Sequence, residues 1–126
     1  MKLADKQIKL QESGLGSIYV DEHVVKVVTN VVTKEVDGVH SLTGKLVDVF
    51  DSKKRGVSLS TSGDTLHVEV SVVVVYGHQV LQVAQLVQQA VLDELKTNFN
   101  LSNVVVDVVV RDVSLLEKDI SLVEEE

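Results

Sequence analysis

The chain has no cysteine, few aromatic residues and a deficit of positive charge. Without cysteine there are no disulfides, no thiolate metal sites and no cysteine nucleophile, and a reducing compartment, with the cytoplasm as the default, is the expectation. Aromatic residues are 3% of the chain and the formal net charge is −7. Nucleic acid and anionic lipid both demand a basic footprint, and base stacking demands aromatic platforms, so neither is the expected partner. No stretch approaches the roughly 20 apolar residues of a membrane-crossing helix. The opening Met-Lys-Leu-Ala-Asp-Lys-Gln-Ile-Lys-Leu lacks the apolar centre of a signal peptide, so neither direct membrane insertion nor export is expected.

What the chain does have is valine in patterned runs. At 126 residues with 44% apolar content it suits one domain that buries about two-thirds of its unfolded surface. The best-patterned stretch is Thr65 to Tyr76. Its even positions, Leu66, Val68, Val70, Val72, Val74 and Tyr76, are all apolar; its odd positions begin polar (Thr65, His67, Glu69, Ser71) and turn apolar at Val73 and Val75. Period two predicts a strand with one buried face and a second face that is wet at its start and apolar at its end.

Upstream, residues 1–15 are polar and aperiodic and read as a loosely attached arm. Gly16 to Val20 reads as a short extended lead-in, and Asp21 as the N-cap of a helix over Glu22 to Val36. In that helix Val24, Val27, Val28, Val31 and Val32 share one side, with Val25 and Val36 widening the stripe. Its seven valines each cost about 0.6 kcal/mol relative to alanine, roughly 4 kcal/mol together. Burying each is worth about 1.5 kcal/mol or more, so the helix depends on docking against a sheet. Gly38 is its stop.

Leu46, Val49 and Phe50 allow a short amphipathic turn, and Lys53-Lys54-Arg55 forms an exposed basic loop. Val57 to Thr61 alternates, and a turn at Ser62-Gly63 pairs Thr61 with Asp64, Leu59 with Leu66 and Val57 with Val68. After Gly77, the residues Val80, Val83, Ala84, Val87, Val91 and Leu95 form a long stripe opposite Gln82, Gln85, Gln89, Asp93 and Lys96, which predicts a second helix. Val104, Val106, Val108 and Val110 point inward on a third strand, parallel to the first through a right-handed crossover. Residues 114–126 make an acidic tail. The prediction is an α+β, two-layer domain over 16–113 in the order α-β-β-α-β, with both helices on one face of a small three-stranded mixed sheet.

Chemistry candidates are few. Gly38 to Lys45 has five residues between its glycines where a phosphate-binding loop needs four, and Leu46 stands where that motif has a metal-binding hydroxyl. His23, His40, His67 and His78 are scattered, and a zinc site needs about four converging ligands. His67, Glu69 and Asp107 share a strand face, which reads as a solvated polar surface. Glu35 lies within the first helix's apolar arc and reads as a rim carboxylate. The element order approaches that of KH-type RNA-binding domains, yet no Gly-x-x-Gly loop joins two helices. No catalytic, cofactor or metal site is predicted. Val73, Val75, Val105 and Val109 do form an anomaly, an apolar patch on the sheet face away from the helices. It is either covered by 45–51 or 115–123, or it is a surface for a second copy or a partner protein.

Several stretches resemble the alkaline-shock, or envelope stress response, protein family of Gram-positive bacteria. They are Gly16-Ser-Ile-Tyr-Val-Asp-Glu-His-Val-Val25, Glu35-Val-Asp-Gly-Val-His-Ser-Leu-Thr-Gly44, Lys54-Arg-Gly-Val57, Val74-Val-Tyr-Gly-His-Gln-Val-Leu-Gln-Val-Ala-Gln-Leu-Val-Gln88 and Val104 to Val113. The resemblance covers about Gly14 to Val113, with valine at helix positions where the family favours alanine and isoleucine. It implies a non-enzymatic cytoplasmic protein that self-associates and, in some members, is held at the membrane by a separate anchor protein. Some relatives are linked to fatty-acid metabolism, which implies the alternative of a regulatory module acting on a metabolic enzyme.

Overall fold

A computed structural model describes residues 7–40 and 56–115. The elements run β1 (Gln7–Ser13), β2 (Gly16–Asp21), α1 (Glu22–Lys34), β3 (Gly56–Ser62), β4 (Thr65–Val75), α2 (Val80–Asn98) and β5 (Val104–Ser114). The α-β-β-α-β core is the predicted α+β arrangement, and a two-stranded hairpin precedes it. β3, β4 and β5 form a mixed sheet in that order, β3 antiparallel to β4 and β5 parallel to it.

The core follows the alternation of β4. Leu66, Val68, Val70, Val72 and Val74 are buried with Val106 of β5 and with Val83, Val87, Val91 and Leu95, four residues of one α2 stripe. Val25 of α1 joins the same cluster, so both helices meet one sheet face. α1 brings one fully buried valine, Val25, to this cluster, with Val28 and Val36 partly buried against it, so the burial that offsets its poor propensity is smaller than seven docked valines would give.

Residues 7–15, expected to be a loose arm, are ordered instead: β1 pairs antiparallel with β2 from Gln7↔Asp21 to Ser13↔Gly16, with a bulge at Leu10. The cause is visible in the alternation of Ile8 and Leu10, which is short but real. Ile8 joins the core, and Leu10 and Val20 pack against it. Lys9 and Glu12 form an exposed ion pair at 2.7 Å. Their hydrogen bond holds the Lys9 ammonium above and the Glu12 carboxyl below their ordinary values. Beyond that base both faces of the hairpin meet water, and Leu15 at its tip is fully exposed.

Three local details differ from the expectations. The β3–β4 turn is Gly63-Asp64, not Ser62-Gly63: Ser62 pairs with Thr65, Leu59 with Val68 and Val57 with Val70. Gly63, at the first central position, has φ +62°, as a type II′ turn requires. The shift slides β3 by two residues along β4, so it leaves every side chain on its expected face, and hydrophobic pattern alone cannot detect it. Asp21 occupies the N-cap position, but its side chain makes no cap hydrogen bond; it accepts one from Gln7 Nε2 at 3.3 Å. Gly38 turns the chain out of α1 at φ +99°, where a Cβ would lie 2.7 Å from Val83 Cγ2. The next residues run beside β4, with His40 N–H donating to the Val73 carbonyl at 2.7 Å. They act as a structural strap, and the remainder of the glycine-flanked loop lies outside the described residues.

The third correction concerns the phase of α1. Its buried residues are Val25, Thr29 and Thr33, while Val24, Val27 and Val31 are 41%, 44% and 51% exposed. The helix is turned by roughly a quarter turn from the expected orientation, at 3.6 residues per turn.

Candidate interaction face

The sheet face opposite the helices is built from the odd positions of β4 and their neighbours. Across the sheet, His67 sits between Ser60 and Val105, Glu69 between Ser58 and Asp107, and Ser71 between Gly56 and Val109. Short hydroxyl side chains leave the hairpin end shallow, and an open depression of about 410 Å³ is lined there by Ser58, Ser60, His67, Glu69 and Asp107.

Glu69 and Asp107 face each other directly in the ladder, an arrangement that is unfavourable for like charges. Arg111 offsets it, donating to Glu69 Oε2 at 3.3 Å and to Ser71 Oγ at 3.1 Å. The Arg111–Glu69 pair is nearly half exposed on both sides, so it orders the surface and adds little stability. Arg111 can reach back because β5 is bulged: Val72 pairs with Val110, but Val73 pairs with Asp112. That bulge escaped sequence reading, because an extra residue in a valine-rich strand leaves no compositional mark.

The four expected surface valines divide. Val73 and Val75 are 5% and 6% exposed, whereas Val105 is 43% exposed and Val109 half-buried. Val105 and Val109 thus form the open part of the patch. Of the two covering segments considered, residues 45–51 and 116–123 lie outside the described residues. Leu115 is 83% exposed, so this residue does not fold back over the patch.

The chemistry candidates do not converge. His67, Glu69 and Asp107 share the depression, yet no group of three or more His, Asp or Glu among the described residues is arranged to hold a metal ion. His23 and His78 are exposed, His40 is buried beside β4, and Glu35 caps the C-terminus of α1 from an exposed position. Lys53, Lys54 and Arg55 lie outside the described residues. Among those residues no helix is long and apolar enough to cross a membrane.

Sequence reading missed the outer side of α1. The signal was a second stripe at helical spacing, Val25, Thr29 and Thr33 with Val28, Val32 and Val36, competing with the expected one.

The model of the alkaline shock protein 23 family, described as having a cell envelope-related function, matches residues 10–115. The chain belongs to this family. The alkaline-shock resemblance is thereby established over the hairpin, both helices and the whole three-stranded sheet. The alkaline shock protein family is not a known enzyme family. An uncharacterized protein, Spy1535, of Streptococcus pyogenes serotype M6 is 35% identical over 81 residues, 61% of this chain. The matched region spans 63% of that relative's length. No solved structure matches the chain.

Proposed function

We propose that this alkaline-shock-family chain is a non-catalytic structural or adaptor protein of the cell envelope stress response, acting in the cytoplasm through contacts with its own copies and with other proteins. A separate membrane anchor protein is one partner in this reading, and no cofactor takes part. The observation that carries it is the sheet face that neither helix covers, where Val105, beside His67 at the hairpin end, and Val109, beside Ser71 further along, flank the polar row of Ser58, Glu69 and Asp107. Exposed valine on a sheet face favours removal from water, and a face that mixes apolar with polar groups suits a protein contact. The family's cell envelope-related function gives that contact its setting.

The test is a Val105→Asp, Val109→Asp double variant studied by light scattering beside the parent chain. The expected outcome is an unchanged circular dichroism spectrum and a lower mass. An oligomeric parent whose mass the double variant does not change removes this face from the reading. Val73 and Val75 are unsuitable probes, since a buried charge at either position unfolds the sheet end itself.

A further inference from the structure

α1 is oriented against its own composition. The side turned into the core carries Thr29 and Thr33, whose hydroxyl oxygens are buried with no hydrogen-bond partner, while Val24, Val27 and Val31 face water. For a helix with one buried side the opposite distribution is favourable, because a buried unsatisfied hydroxyl and an exposed valine both raise the free energy. The valine arc of α1 reaches past the docked side and leaves an apolar part for a further surface to cover. The exposed residues follow the spacing three then four, which is that of the seam between two packed helices.

Charge selects what lies across that seam. Taking the helix at about 100° per residue, Lys34 projects about 50° to one side of the stripe's centre and Glu35 about 50° to the other. His23 lies on the Lys34 side, and all three residues are exposed. In a parallel pair, the flank on one side of a helix meets the opposite flank of its neighbour. A second copy so placed sets Lys34 against the other copy's Glu35, twice by symmetry. An antiparallel pair instead brings Lys34 against the other copy's His23 and forgoes the Lys34–Glu35 pair.

We infer that the outer stripe of α1, Val24, Val27 and Val31, is a self-association seam that takes a second copy's α1 in parallel register. This inference rests on the self-association reading and adds a surface on the other layer of the domain. Three half-exposed valines fall far short of the roughly 800 Å² per partner of a stable interface, so this contact alone is weak, micromolar or looser. In series with the sheet face, it makes each chain bivalent.

The absence of native cysteine makes the test clean. Val24→Cys and Val31→Cys, each alone, should give disulfide-linked dimers under mild oxidation, since a bridge requires Cα atoms within about 7 Å. Val27→Asp should keep the circular dichroism spectrum and weaken the dimer at least tenfold in sedimentation equilibrium. Linkage only when Val24→Cys and Val31→Cys chains are mixed means an antiparallel pair and overturns the inference. An oligomeric parent that responds to the sheet-face variant, with no linkage at either cysteine and no response to Val27→Asp, also overturns it and leaves the self-association reading standing. A parent that is monomeric at every concentration removes both.

Discussion

The two helices rest on the same sheet face and obey opposite logics. In α2, the stripe Val83, Val87, Val91 and Leu95 is buried and Gln82, Gln85, Gln89, Asp93 and Lys96 face water, so the core side is apolar throughout, while Val80, expected in the stripe, and Leu81 and Leu86 are exposed. In α1, threonines face the core and valines face solvent. α2 has leucine, glutamine and alanine, which favour the helix, and needs one docking surface. α1 is poor in intrinsic propensity and its valines spread over about half of its circumference, so its orientation is set by the chain at its ends. Just before it lies Asp21, paired with Gln7 in the hairpin, and just after it Gly38 against Val83. The difference teaches that where an apolar arc is broader than the surface it docks on, connections decide phase.

Three substitutions sharpen that contrast. The largest effect belongs to α2: Leu95 has no exposed surface, and Leu95→Ala is expected to cost about 3 kcal/mol by cavity formation, read as a lower urea midpoint with an unchanged slope. A cost below about 1 kcal/mol means that the α2 stripe is not the tightly packed one. Next is the joint between the helices. Gly38→Ala combines an unfavourable φ with a clash at Val83, for an expected loss of about 2 kcal/mol by thermal unfolding. The smallest effect has the opposite sign: Thr29→Val keeps the shape and removes a buried unsatisfied hydroxyl, so it should stabilise by about 1 kcal/mol. A loss of stability there would show that the hydroxyl is satisfied and that the orientation of α1 carries no penalty.

The sheet was the most legible part of the molecule. Alternation through Leu66 to Val74 fixed which face of β4 is buried, and Val104 to Val110 repeated it, so the core and the parallel pairing could be read directly. Registry was less legible: period two cannot distinguish a turn at Ser62-Gly63 from one at Gly63-Asp64, because both keep Leu59 on the core side. The hairpin of β1 and β2 offered only Ile8 and Leu10 against a polar background, and its stability comes from docking that base on the core. For the candidate face, Val105 and Val109 were found from alternation. The burial of Val73 and Val75 was not, because it depends on groups brought there by the fold.

The bulge in β5 has a consequence for solubility. Among the described residues β5 is an edge strand, and a valine-rich edge is the kind of segment that recruits further strands without limit. Asp107 interrupts the valines at mid-strand, Gln88 Nε2 occupies the Val106 carbonyl at 2.8 Å, and the bulge puts Arg111 and Asp112 where a straight ladder would continue. An incoming strand meets charge and a broken repeat. Despite this much valine, the edge at β5 is thereby closed to unlimited strand addition.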